Sequence, residues 1–223
     1  MHCPFQTKPR WTRRKDARPQ ELLAAALTVF VERGYAATRL DDVATLAGVS
    51  KGTLYLYFPS KEDLFRAVVR DNLLPVLDEA EQIIDTYEGH SANLMRDFIL
   101  GWWQRIGDTP LSGLTKLMMA ESGNFPEVAK FYHEEIISRS DALVIRMLER
   151  GMARGEFRQV DAARAHMVIV APVLMLTLWK HSFDQWRAEP IPVAEYLSTV
   201  IDMMLHGLVA PDDNLSVSTE NPC

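Results

Sequence analysis

The run GVSKGTLYLYFPSKEDLF, residues 48–65, gathers two lysines, two tyrosines, a threonine and a helical glycine onto one small surface. Each type has a use against a nucleic acid. Lys51, at the start of a short helix, is placed to read a base edge. Thr53 can meet a thymine methyl or donate from its hydroxyl, and Gly52 lets the backbone approach closely. The phenols of Tyr55 and Tyr57 reach towards phosphates on the two groove walls, and Lys61, at the mouth of the following helix, is expected to clamp another. Upstream, the amides around Thr38 open a helix N-terminus that favours an anion. Arg39 beside them is either a further cation at that site or a solvated surface charge. Leu54 and Phe58, four residues apart, are expected to turn inward.

The distribution of charge agrees. The chain carries 24 Lys and Arg against 30 Asp and Glu, a net charge of −6. Residues 1–70 hold 12 basic and 7 acidic side chains, and the remainder 12 and 23. A basic first third on an acidic chain suits a nucleic-acid-binding end joined to an end with other work.

In that second part the candidate chemistry is softer. Phe98, Trp102, Trp103, Met118, Met119, Met175 and Trp179 are large, polarizable groups that can line a pocket for a small, largely apolar molecule. The same spacing also describes plain helix core. His133, His166 and His181 are the polar candidates, His133 being the one assigned to the pocket. No histidine pairs with another His or Cys at metal-ligand spacing, so neither a metal site nor a cofactor is expected. A Ser-His-Asp order, a nucleophile elbow and a glycine-rich phosphate loop are all missing, which argues against an enzyme. Cys3 and Cys223 sit at opposite ends and suggest no disulfide framework, as suits a reducing cytoplasm. The basic N-terminus has no apolar core of a secretory signal. The apolar run from Met167 to Trp179, about 13 residues, is shorter than the roughly 20 that cross a bilayer, so no membrane contact is expected.

The elements that must position these groups are helices almost throughout. Leu23, Ala26, Leu27 and Phe30 recur at helical spacing up to a stop near Gly34, and Leu40, Val43, Ala44 and Ala47 repeat the pattern up to Gly48. A third helix follows Ser50. Thr38 and Ser60 each precede an aspartate by three residues and read as capping boxes. A longer helix then runs from Ser60 towards Ile84 with Pro75 inside it. Further helices are expected over 92–106, 111–121, 126–154, 162–186 and 193–208, with Pro126 in a first turn and Gly155 as a stop. The fold class is all-α: a three-helix helix-turn-helix domain over 18–66 and a larger helical domain over 67–209. A basic arm (1–17) and a Pro-, Ser- and Asn-containing tail (210–223) are expected to be disordered. The helix over 162–186 is apolar on every side, and Val193, Leu197, Val200, Ile201, Met204 and Leu208 form a stripe on the next. Together they predict a homodimer through 162–186 and 193–208.

Residues 22–65 resemble the DNA-binding domain of the tetracycline-repressor (TetR) family of bacterial regulators. The likeness rests on AALTVFVERGYAATRLDDVATLAGVSKGTLYLYFPSKEDLF, with Gly34, Tyr35, Thr38, Gly48, Ser50, Gly52, Thr53, Tyr55, Phe58 and Lys61 at the family's spacing. Tyr57 stands where many members have histidine. The resemblance implies a two-fold dimer on a palindromic operator, the last two helices as the dimer contact, and a C-terminal half that binds a small molecule and alters the spacing of the two heads. It implies a transcriptional repressor. A DNA-binding architectural or recruiting factor with the same head and no effector is the alternative.

Overall fold

The computed structural model describes residues 19–209 and is all-α over them. The arm over 1–17 and the tail over 210–223 lie outside the described residues. The chain divides into two compact units between Val68 and Val69.

The first unit is built from α1 (Pro19–Ala37), α2 (Leu40–Leu46), α3 (Lys51–Tyr57) and the start of α4 (Lys61–Thr86). Its core is aromatic: Phe30 meets Phe65 edge-on at 5.2 Å, Tyr35 meets Phe65 at 5.4 Å, and Phe30 and Tyr35 stack at 5.8 Å. The helical path of α1 breaks at Gly34, as its spacing predicts. Between α2 and α3 the chain closes a Schellman motif. The amide of Val49 donates to the Ala44 carbonyl at 2.9 Å and that of Gly48 to the Thr45 carbonyl at 3.1 Å. Gly48 takes the left-handed conformation this needs, at φ 69°, where a Cβ would be strained.

The second unit holds the rest of α4, then α5 (Ser91–Trp102), α6 (Ser112–Glu121), α7 (Pro126–Tyr132), α8 (Ser138–Ala153), α9 (Ala162–Ser182) and α10 (Val193–Leu208). Two expected helices contain a feature that helical spacing does not reveal. A wide π turn, Trp103–Gly107, extends α5, and another, His133–Ile137, joins α7 to α8. The helix expected to reach Trp186 ends at Ser182, because Phe183 leaves helical geometry (φ −124°, ψ −12°), and a short 3-10 turn follows. Arg150 binds α8 to the start of α5 by donating to the carbonyls of Tyr87 at 2.9 Å and Gly89 at 2.8 Å. Ion pairs join α4 to the helices beside it: Arg70 to Glu135, Arg105 to Glu79, Arg139 to Asp78 and Glu81, and Arg146 to Asp85.

On α10, Leu197, Ile201, Leu205 and Leu208 face inward, so the buried stripe includes Leu205, while Val193, Val200 and Met204 are half-buried. By length and composition α9 is apolar enough to cross a membrane, with 22% of its most apolar window buried within this chain. The shorter run read from the sequence did not indicate this. In the fold α9 packs against α6 and α8.

Candidate nucleic-acid interface and effector cavity

The turn and capping residues fix α3. Ser50 Oγ accepts from the Thr53 amide at 3.2 Å and shares a hydrogen bond with Thr53 Oγ1 at 2.8 Å. Leu54 is fully buried and anchors the helix, and Phe58 is half-buried just beyond its end. That anchoring leaves Lys51, Gly52, Tyr55, Leu56 and Tyr57 exposed on one surface, with Thr53 half-buried among them. Leu56 is 85% exposed, a large apolar side chain left largely uncovered by the described residues, which suits a thymine methyl. Among the described residues a Cβ at Gly52 would meet only Ser50 Oγ, at 3.9 Å, so none of them requires a glycine there.

Lys51 has a partner that the sequence reading missed. Its ammonium lies 2.8 Å from Asp41 Oδ1 and 5.6 Å from the centre of the Tyr55 ring. The hydrogen bond to Asp41 raises the lysine pKa above its ordinary value. Asp41 stands ten residues upstream in the first turn of α2, and the turn between the helices brings the two together.

Lys61 is committed within the protein. Its ammonium donates to the carbonyls of Tyr35 at 2.7 Å and Ala36 at 3.1 Å, and lies 4.6 Å from the centre of the Tyr35 ring. It caps the end of α1 and ties α4 to it, a structural role the phosphate-clamp expectation omitted. Burial, reinforced by Glu62 and Asp63 against the opposing Arg66, pushes the Tyr35 phenol up to about 12.

Thr38 corrects an expectation. Its side chain is buried and donates to the carbonyl of Gly34 at 2.6 Å, so it neither caps α2 nor reaches solvent. Arg39 is the N-cap residue of α2, without a side-chain cap, and is exposed. The second capping box does form: Ser60 Oγ accepts from the Asp63 amide at 3.0 Å and donates to its carboxylate at 2.7 Å.

In the second unit a cavity of about 330 Å³ opens among α4 to α9. Phe98, Trp102, Met118 and Met119 line it, as their chemistry suggested. Trp103, His133, Met175 and Trp179 do not. Trp103 is buried against Gly107, where a Cβ would come within 2.4 Å of its ring, and Lys180 lies 5.4 Å from its ring centre. His133 points outward from a π turn that sends Ile136 and Ile137 to the cavity. Met175 and Trp179 are exposed on another face of α9 and give way to Ile169, Val170, Val173 and Leu174. Because α9 is apolar all round, its sequence cannot distinguish those faces.

The polar lining was missed altogether: Thr115, Ser122, Tyr132, Ser140 and Asp141. Tyr132 Oη shares a hydrogen bond with Thr115 Oγ1 at 3.3 Å, and burial raises its pKa. A second cavity, of about 290 Å³, shares Leu77, Phe98, Trp102 and Ser140 with the first. Of the remaining histidines, His181 Nε2 lies 2.7 Å from Ser112 Oγ. Burial, with Lys180 and Lys116 nearby, lowers its pKa. Among the described residues no cluster of His, Cys, Asp and Glu could hold a metal ion.

A helix-turn-helix head with a cationic and phenolic outer face, followed by a cavity-bearing helical unit, defines a DNA-binding regulator. Residues 22–68 match the bacterial regulatory proteins of the tetR family, and residues 94–207 match the C-terminal domain of AefR-like transcriptional repressors. The chain belongs to the TetR family of transcriptional regulators. It is 28% identical over 198 residues to the HTH-type transcriptional regulator YfiR of Bacillus subtilis, covering 84% of this chain and 93% of that one. Its fold is similar to that of FadR from Bacillus subtilis, solved with stearoyl-CoA (TM-score 0.70, 21% identity, 85% of this chain and 99% of that one). It is also similar to a transcriptional regulator from Saccharomonospora viridis solved with choline (TM-score 0.71, 20% identity, 86% and 97%).

Proposed function

We propose that the protein is a cytoplasmic, homodimeric repressor that binds a palindromic operator and is released from it by a small, largely apolar effector. The observation that carries the reading is the path of α4. This one helix starts at Lys61 in the reading head, and its later turns supply Leu73 and Leu77 to the cavity wall. Pro75 lies between those two residues, where the helical ladder lacks a donor. A molecule pressing on Leu73 and Leu77 therefore acts where α4 bends most cheaply. Ligands as unlike as stearoyl-CoA and choline, in regulators of similar fold, are consistent with an adaptable site. An effector-independent architectural factor has no use for such a cavity.

Dimerisation would cover the free face of α9. Met167, Ala171, Met175 and Trp179 follow one another at intervals of four and are all exposed, as are Phe183 just past the end of α9, Val168 and, on α10, Met203. Such a ridge packs well against its own symmetry mate. Two heads so held would read half-sites about 34–36 Å apart, one turn of the duplex. Selection of bound sequences from random duplexes, with sedimentation of the free protein, tests this. A pseudo-palindrome and a dimer that Phe183→Glu converts to monomer are expected. A monomeric wild type with no sequence preference at low salt refutes the reading.

A further inference from the structure

We infer that the cavity takes an organic cation with an apolar body, and that Asp141 is its counter-ion. The inference rests on the proposed role of the cavity as the effector site and specifies the chemistry of the occupant.

Among the described residues that line the cavity, Asp141 carries the one formal charge, and none is lysine or arginine. An anionic headgroup would lose its hydration there with no cation to replace it, and would face a carboxylate as well. A cation faces the reverse situation. Asp141 offers the opposite charge, Thr115 and Ser140 offer hydroxyl oxygens, and Phe98, Trp102 and Tyr132 offer ring faces that attract positive charge. The carboxylate is 35% exposed, which places it at the opening of the cavity. A charged head can therefore pair with it while an apolar tail enters among the aliphatic residues, and neither end is mismatched.

Among the described residues Asp141 has no arginine or lysine paired with it, unlike four of the carboxylates along α4. Glu79, Glu81, Asp78 and Asp85 are each bound to an arginine at close range. Asp141 has His166 Nε2 at 3.7 Å, beyond hydrogen-bonding distance, and His166 stands outside the lining. The carboxylate is thus available to a charged guest at the opening of the cavity. At about 330 Å³ the space lies at the small end of ligand sites, suited to one chain or ring system rather than a large conjugate.

Titration calorimetry of the full-length protein at pH 7, with three probes of equal chain length, tests this. Octylammonium, octan-1-ol and octanoate differ only in the head. Octylammonium is expected to bind about tenfold tighter than the alcohol, and octanoate weakest. In Asp141→Asn, which keeps the side-chain shape, octylammonium should fall to the level of the alcohol while the alcohol is unchanged. Circular dichroism checks that the variant is folded. If octanoate binds wild type as tightly as octylammonium, or if Asp141→Asn keeps the preference for the cation, the inference is overturned while the cavity remains an effector site. If none of the three binds, the inference falls together with the role of the cavity.

Discussion

Replacing Gly52 by alanine sets folding against binding at a single atom. Gly52 is the second residue of α3, exposed, and among the described residues a Cβ there would touch only Ser50 Oγ at 3.9 Å. Glycine costs a helix interior about 0.8–1 kcal/mol relative to alanine, and less in the first turn, so a gain of roughly 0.5 kcal/mol is expected. For a small domain this corresponds to a rise of about 2–4 °C in the melting of the reading head. If instead the duplex closes onto the backbone at Gly52, the added methyl meets a phosphate or base edge. Forcing a methyl into a packed contact costs roughly 1–3 kcal/mol, or about a fivefold to hundredfold loss of affinity per half-site. Because no charge is removed, the dependence of affinity on salt should not change. Thermal melting and fluorescence anisotropy on the selected operator, at three or more salt concentrations, read both effects. A variant that melts higher and binds the operator as tightly as wild type refutes the close approach at Gly52.

Three further outcomes follow from the same geometry. Lys61→Ala removes two hydrogen bonds and a ring contact, so the reading head should lose about 1–2 kcal/mol of stability. The slope of log K against log salt should also fall by about one per half-site, and an unchanged slope removes Lys61 from phosphate contact. Pro75→Ala restores a donor to α4 and should stiffen it. Operator release should then need a higher effector concentration at unchanged effector affinity, whereas an identical release curve shows that α4 does not bend there. Burial works against ionisation of Glu156, but the hydroxyl and amide of Ser91, the Arg154 guanidinium and His90 outweigh it and hold the carboxyl at about 2. Its pKa is thus depressed on folding, so its stabilisation is present above about 4.5 and lost as pH falls towards 2. The gap in unfolding free energy between wild type and Glu156→Gln, roughly 2–3 kcal/mol at pH 7, should narrow through that window, and a constant gap contradicts the assignment.

The helices were legible because their apolar residues repeat at 3.6 and their ends carry Ser50, Ser60, Gly48 and Gly155. Thr38 failed as a cap because the break at Gly34 leaves a carbonyl within reach of its hydroxyl, a contact that capping spacing does not encode. Lys51 was read as exposed on α3, as it is, but without its partner, since Asp41 approaches only after the turn has folded. In the cavity, Phe98, Trp102 and Met118 lay on amphipathic helices whose inner face the spacing reveals, while Met119 lines it although it is 53% exposed. Met175 and Trp179 lay on a helix with no polar face to orient it, and His133 lay on a turn with its own phase. Thr115, Tyr132 and Asp141 were invisible for a different reason. A polar residue at a helical position reads as solvent-facing until a hollow is known to lie beneath it.

Both π turns contribute to the cavity wall, through Ile106 in one and Ile136 and Ile137 in the other. A wide turn of this kind houses one surplus residue without disturbing the alignment of the helix on either side. Losing or gaining a residue at these two places would therefore reshape the hollow while leaving α5, α7 and α8 seated as they are. Across a lineage, such single-codon insertions and deletions offer a route to new effectors that bypasses the slower repacking of the surrounding bundle.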